Sequence, residues 1–195
     1  AAGLTERLGG IGVVPVVVLD RAEDAAPLRD ALLAGGLPVA EITLRTDAGI
    51  ASIAAMATDP EMLVGAGTVL TADQVDSAVD AGARFVVSPG FSRSVVERCQ
   101  ERGVPVFPGT VTATEVQAAY EAGLRTVKFF PAEQSGGLAA LAALAAPFSM
   151  MRFMPTGGIS AATASTYLAH PAVHAVGGSW MVARGLIADG NFGEV

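Results

Sequence analysis

The chain has 195 residues, of which 51% are hydrophobic and 16% charged, and its formal net charge is −7. That is enough apolar length for one domain with a sizeable core, and the acidic balance argues against a nucleic-acid partner. The single cysteine, Cys99, excludes an internal disulfide and fits a cytoplasmic setting, and no apolar run approaches the ~20 residues that cross a bilayer, so no membrane partner is expected.

In chain order, the stretch Ala1 to Gly12 lacks the basic-then-apolar layout of a signal peptide. The chain does not open on methionine, and trimming at one or both ends is expected. Short runs rich in Val, Ile and Phe then start near Val13, Pro38, Met62, Arg84, Val104, Arg125, Arg152 and Val173. Ala-rich segments with helical spacing lie between them, for example Ala22 to Ala34, Ala72 to Ala81, Thr114 to Ala122 and Leu138 to Ala145. Asp20, Thr71, Ser92, Thr112 and Ser160 are candidate helix N-caps, and Gly35, Gly82, Gly103 and Gly123 candidate helix ends. Strand–helix alternation at this pace predicts a parallel sheet, and eight units predict a (β/α)8 TIM barrel. Residues 1–195 read as a single barrel domain with minimal loops. A doubly wound open sheet is the alternative, but the Rossmann phosphate fingerprint is missing after the first run, where the chain reads Leu19-Asp20-Arg21-Ala22-Glu23-Asp24.

In a barrel the chemistry gathers at the C-terminal ends of the strands. The second run, Val39 to Thr46, places Glu41, Thr43 and Arg45 on one face and Ile42 and Leu44 on the other. A glutamate and an arginine pointing into a barrel mouth are expensive unless paired or used. A structural ion pair would explain them; so would proton transfer by Glu41 and an anion held by Arg45. The sixth run carries Lys128, the only lysine beside eleven arginines, in Thr126-Val-Lys-Phe-Phe-Pro131. An ammonium among Val and Phe loses hydration, which favours the neutral amine that attacks carbonyls. The plainer reading is a lysine that snorkels to water or pairs with Glu133 or another carboxylate. If the face holding Thr126, Lys128 and Phe130 points inward, the amine meets Glu41 in one mouth, an arrangement suited to an anionic keto acid.

The third run ends Gly65-Ala66-Gly67-Thr68, the fourth Ser88-Pro89-Gly90 and the fifth Pro108-Gly109-Thr110. The last two end in Thr156-Gly157-Gly158-Ile159 and Gly177-Gly178-Ser179-Trp180, where barrels commonly hold phosphate on backbone N–H groups. No Walker A lysine is present. Two histidines, His170 and His174, and one distant cysteine make a poor metal set, so both histidines read as packed or surface residues and no metal or cofactor is expected.

Together these segments resemble the class I 2-keto-3-deoxy-6-phosphogluconate (KDPG) and 2-keto-4-hydroxyglutarate (KHG) aldolases. The matching runs are Glu41-Ile-Thr-Leu-Arg-Thr46, Gly65-Ala-Gly-Thr-Val69, Ser88-Pro-Gly90, Val127-Lys-Phe-Phe-Pro-Ala-Glu133, Pro155-Thr-Gly-Gly-Ile159 and Gly177-Gly-Ser-Trp180, colinear over nearly the whole chain. The resemblance implies a homotrimeric barrel that cleaves a phosphorylated keto acid to pyruvate and glyceraldehyde 3-phosphate, without a cofactor. It implies that Lys128 forms a Schiff base and that Glu41 is the general acid/base. It further implies that Arg45 and Thr68 hold the pyruvyl carboxylate, Pro89 and Phe130 wall the pyruvate pocket, and Thr156 contacts the hydroxyl-bearing carbons. Gly157, Gly158 and Ser179 are implied to bind phosphate. Two features depart from the pattern: Gln134 stands where relatives often have Asn, and the chain stops at Val195 before a full final helix. A non-covalent phosphosugar isomerase or decarboxylase on the same barrel, and a non-catalytic trimeric scaffold, are the competing readings.

Overall fold

The computed structural model describes residues 2–195, leaving Ala1 outside. Eight parallel strands alternate with helices. The strands are β1 (Val13–Val17), β2 (Val39–Thr43), β3 (Leu63–Gly67), β4 (Phe85–Ser88), β5 (Val106–Thr110), β6 (Thr126–Phe129), β7 (Arg152–Pro155) and β8 (Val176–Gly178). The helices are α1 (Ala2–Ile11), α2 (Ala25–Ala34), α3 (Gly49–Met56), α4 (Ala72–Asp80), α5 (Arg93–Glu101), α6 (Ala113–Glu121), α7 (Gly137–Ala145), α8 (Ala161–Leu168) and α9 (Arg184–Ala188). Each strand pairs with its sequence neighbour, β1 pairs with β8, and single bridges from Phe153 to Val173 and from Thr156 to Gly177 bring β7 against β8. The expected (β/α)8 barrel is therefore present and nearly closed.

The two-residue period of the strands sorts their side chains into two layers. Val17, Ala40, Ile42, Val64, Ala66, Val86 and Val106 face outward and pack with the helical residues Leu28, Leu32, Ile53, Met56, Val75, Val95 and Val96. Val127, Phe129, Phe153 and Val176 do the same against α6, α7 and α8. The alternate residues Val14, Val39, Leu63, Phe85, Val87, Phe107, Met154 and Ala175 face inward, where Leu8 of α1 joins them with Leu4 and Ile11 alongside. The base of the barrel is thus a dry apolar plug, with α1 as its floor.

Local signals behave as their chemistry requires. Thr71 caps α4 by accepting from the Gln74 N–H at 3.2 Å. Thr112 and Glu115 form a reciprocal capping box on α6. Gly82, Gly103 and Gly123 end their helices at positive φ. Gly35 is the C-cap of α2 as expected, at φ −75°, and the left-handed residue is the next one, Gly36, at φ +75°. One expectation is corrected. Asp20 caps no helix; its carboxylate accepts from the Arg184 guanidinium, 2.8 Å from Nε, and ties the β1 end to α9. Cys99 is buried in the helical layer, and burial pushes its thiol up to about 12.

Candidate active site

Above the apolar plug, the inward positions change character. Two residues past Val39 on β2 comes Glu41, and two past Leu63 on β3 comes Gly65, then Gly67. On β6 the inward residue is Lys128, since Val127 and Phe129 lie in the outer layer. Register keeps these groups level: Glu41 pairs with Gly65, and Lys128 with Gly109 on one side and Met154 on the other.

Lys128 Nζ lies 3.7 Å from Glu41 Oε1, and the two side chains are only 7% and 1% exposed. Neither Glu41 oxygen has a hydrogen-bond partner. A buried carboxylate that faces one cation at 3.7 Å and accepts no hydrogen bond is costly, so its presence points to use rather than to stability. Lys128 does not pair with Glu133; its Nζ sits 4.7 Å from the centre of the Phe130 ring, within cation–π range.

Glycines make room for this pair. A Cβ at Gly67 would stand 2.3 Å from Glu41 Oε1. A Cβ at Gly109 would stand 2.0 Å from the Pro89 carbonyl oxygen, so the glycine beside Lys128 admits the β4 loop. A Cβ at Gly177 would stand 2.3 Å from the Thr156 hydroxyl oxygen. These close approaches, rather than turn propensity, explain glycine at three of the strand ends. Thr68, just past Gly67, has φ +57°, the single non-glycine residue at positive φ among those described. For a β-branched residue that conformation is strained by on the order of 1–3 kcal/mol, a cost found mainly at working sites.

A cleft of about 170 Å³ opens beside the pair, lined by Arg45, Phe130, Thr156, Gly157, Gly158 and Ser179, together with Val16, Ile159, Gly177 and Gly178. Six residues expected at the site therefore share one cavity, while Lys128, Glu41, Thr68 and Pro89 sit at neighbouring strand ends. Arg45 corrects the strand reading: β2 ends at Thr43, and Arg45 occupies the following exposed turn. That turn is anchored by the Leu44 N–H donating to the Gly67 carbonyl at 2.8 Å and by the Thr46 hydroxyl donating to the Leu19 carbonyl. Among the described residues the Arg45 guanidinium has neither an ion pair nor a hydrogen bond, which leaves a free fork facing the cleft. Val16 was not foreseen as a lining residue; its inward position on β1 follows from Val14 two residues earlier. Gly157 and Gly158 both have positive φ, +101° and +79°. Among the described residues no group of three or more metal-ligating side chains converges, and no helix is long and apolar enough to cross a membrane. His174 Nε2 lies 2.6 Å from the Thr5 carbonyl oxygen at the barrel floor, far from this mouth in role.

A parallel barrel with polar side chains gathered at its strand ends is the architecture of a TIM-barrel enzyme. The family model for KDPG and KHG aldolase matches residues 4–195, and the chain belongs to that family of lyases. A 2-dehydro-3-deoxy-phosphogluconate aldolase of Treponema pallidum (strain Nichols) is 50% identical over 191 residues, 97% of this chain and 91% of its own. A KHG/KDPG aldolase of Escherichia coli (strain K12) is 44% identical over 184 residues, 94% of this chain and 86% of its own. Among solved structures, KDPG aldolase from Legionella pneumophila, with pyruvate captured as a covalent carbinolamine, superposes with a TM-score of 0.94. It is 39% identical, covering 97% of this chain and 93% of the other.

Proposed function

We propose that this chain is a Schiff-base aldolase that cleaves 2-keto-3-deoxy-6-phosphogluconate to pyruvate and glyceraldehyde 3-phosphate. The observation that carries the reading is the buried Lys128–Glu41 pair, 3.7 Å apart, beside an anion-sized cleft. The neutral Lys128 amine attacks the C2 carbonyl, and loss of water from the carbinolamine leaves an iminium. Glu41, either directly or through a water, takes the C4 hydroxyl proton. The C3–C4 bond then breaks, its electron pair passing into the C2–C3 enamine with the iminium nitrogen as sink, and the aldehyde departs. Protonation at C3 and hydrolysis release pyruvate and free Lys128.

In this reading Arg45 and Thr68 hold the pyruvyl carboxylate, Pro89 and Phe130 wall the methyl end, and Thr156 contacts the hydroxyl-bearing carbons. Gly157, Gly158 and Ser179 take the phosphate through backbone N–H groups and a hydroxyl. No metal or cofactor takes part in these steps. Cleavage of 4-hydroxy-2-ketoglutarate to pyruvate and glyoxylate uses the same lysine and carboxylate and is proposed as a second activity, in line with the E. coli relative's name. We place the enzyme in the cytoplasm as a homotrimer, the assembly that the family resemblance implies. The test is pyruvate release from each substrate, followed by coupling to lactate dehydrogenase, for the wild type and Ser179→Ala. The reading expects Ser179→Ala to weaken the phosphorylated substrate selectively; an equal loss on both substrates would place the phosphate elsewhere.

A further inference from the structure

The two glycines of the proposed phosphate loop sit side by side at positive φ, and glycine is the residue with most freedom to lose on ordering. Backbone contact on one side holds the loop: the Ala132 N–H donates to the Thr156 carbonyl at 2.8 Å, and the Glu133 N–H to the Gly157 carbonyl at 3.1 Å. The segment that follows Lys128 is thereby laced to the loop that follows β7. Glu133 then does more with its side chain. A Cβ at Gly158 would lie 2.6 Å from both Glu133 Cβ and Cγ, so the glutamate stem rests directly on the second glycine. Its carboxylate accepts a hydrogen bond from the hydroxyl of Tyr167 on α8. Tyr167 is only 3% exposed, and the helix that carries it starts three residues beyond Gly158. Burial and the adjacent carboxylate raise the Tyr167 hydroxyl well above its ordinary range, so it remains a neutral donor.

These contacts close a ring: the β6 loop to the β7 loop by backbone, the β7 loop into α8 by the chain, and α8 back to the β6 loop through Tyr167 and Glu133. We propose that Glu133 and Tyr167 are positioning residues that hold Gly157 and Gly158 in an anion-receiving conformation, and so set the enzyme's preference for a phosphorylated substrate without touching it. The inference rests on the phosphate role proposed for that loop. The stem contact and the acceptor oxygen carry the effect, and the negative charge does not. An amide at position 133 therefore keeps the strut, whereas an alanine removes it.

The experiment compares wild type, Tyr167→Phe, Glu133→Ala and Glu133→Gln on the phosphorylated substrate and on its dephosphorylated counterpart, with inorganic phosphate as competitive inhibitor. Tyr167→Phe and Glu133→Ala are expected to raise KM for the phosphorylated substrate and the inhibition constant of phosphate together, by about threefold to tenfold, as for the loss of one hydrogen bond. Their kcat, and kcat/KM for the dephosphorylated substrate, stay at the wild-type level, and Glu133→Gln restores both phosphate readouts. A lowered Tm with unchanged phosphate readouts, or an equal loss on both substrates, would overturn the inference and leave the strut a stability contact. A wild-type enzyme that does not prefer the phosphorylated substrate would overturn the phosphate reading itself, and this inference with it.

Discussion

The two ends of the barrel are built from the same strands and obey opposite rules. At the base, the inward residues are Val14, Val39, Leu63, Phe85, Phe107 and Met154, each at most 3% exposed and closed off by Leu8 of α1. Further along β2, β3, β5 and β7 the inward set becomes Glu41, Gly67, Gly109 and Thr156, and β6 adds Lys128. The base is close-packed and satisfied. The mouth holds a carboxylate without hydrogen bonds, a threonine at positive φ and glycines that exist to leave room. Stability is thus concentrated at one end and spent at the other, with a single register carrying both.

Substitutions at the two ends should therefore separate activity from stability. The largest effect expected is at Lys128: Lys128→Ala abolishes cleavage while circular dichroism retains the barrel signature. Near-wild-type turnover in that variant would remove the covalent mechanism. Next is Glu41→Gln, expected to slow turnover by roughly 10²–10⁴, the usual cost of a lost general acid/base. The amide keeps the shape of the side chain, so the same variant should stay folded at the assay temperature although it removes the carboxylate that faces Lys128. A large drop in Tm with full activity would mean that Glu41 is a structural residue. At the base the pattern inverts. Leu8→Ala or Phe107→Ala should cost about 2–5 kcal/mol of stability in denaturant titrations, with kcat within twofold of wild type at a temperature where the protein stays folded, a margin of about 0.4 kcal/mol or less in barrier height.

The smallest effect expected lies outside both ends. Asp76 on α4 accepts from Arg98 on α5 at 2.5 Å and from Arg102, the residue that ends α5, at 2.7 Å. The Arg102 hydrogen bond holds its carboxyl below the ordinary 3.8 against the opposing effect of burial, with the charges of both arginines and the Arg98 hydrogen bond adding to it. A carboxylate whose folded value is depressed stabilises the fold above its ordinary range, and that contribution fades as pH falls through the folded value. Asp76→Asn should therefore lower Tm slightly at pH 7 and leave Tm unchanged in acid below the lowered folded value, where wild type has lost the same contribution. An equal difference at both pH values would assign the contact to packing.

Much of this arrangement was legible in the sequence because period-two alternation leaves few choices. Once Val127 and Phe129 are assigned to helices, Lys128 must point inward, and Ile42 likewise turns Glu41 in. The strand starts fall within three residues of the apolar runs. The last is furthest off, since Val173 makes only a single bridge to Phe153 before β8 begins at Val176. What was not legible depends on tertiary contact. The helix α1 was not foreseen, because Gly3, Gly9 and Gly10 make it a poor helix by propensity. It is held by docking Leu4, Leu8 and Ile11 under the barrel, and a Cβ at Gly9 would lie 2.5 Å from the His174 ring. Arg45 could be counted onto the face of Glu41 but not placed in a turn, because the strand ends where Leu44 pairs with Gly67. Glu133 read as a possible partner for Lys128. Only the structure shows that Tyr167, 34 residues further on, takes its carboxylate.

One lysine in the whole chain makes the decisive measurement unusually clean. The folded protein is mixed with pyruvate and sodium borohydride, then analysed by intact mass and peptide mapping. A single stable pyruvyl adduct on the peptide that contains Lys128, absent when the protein is denatured first, is the predicted result. A folded protein that gains no adduct, or gains one only at its terminal amine, would contradict the role given to Lys128 and return the Lys128–Glu41 pair to non-covalent chemistry.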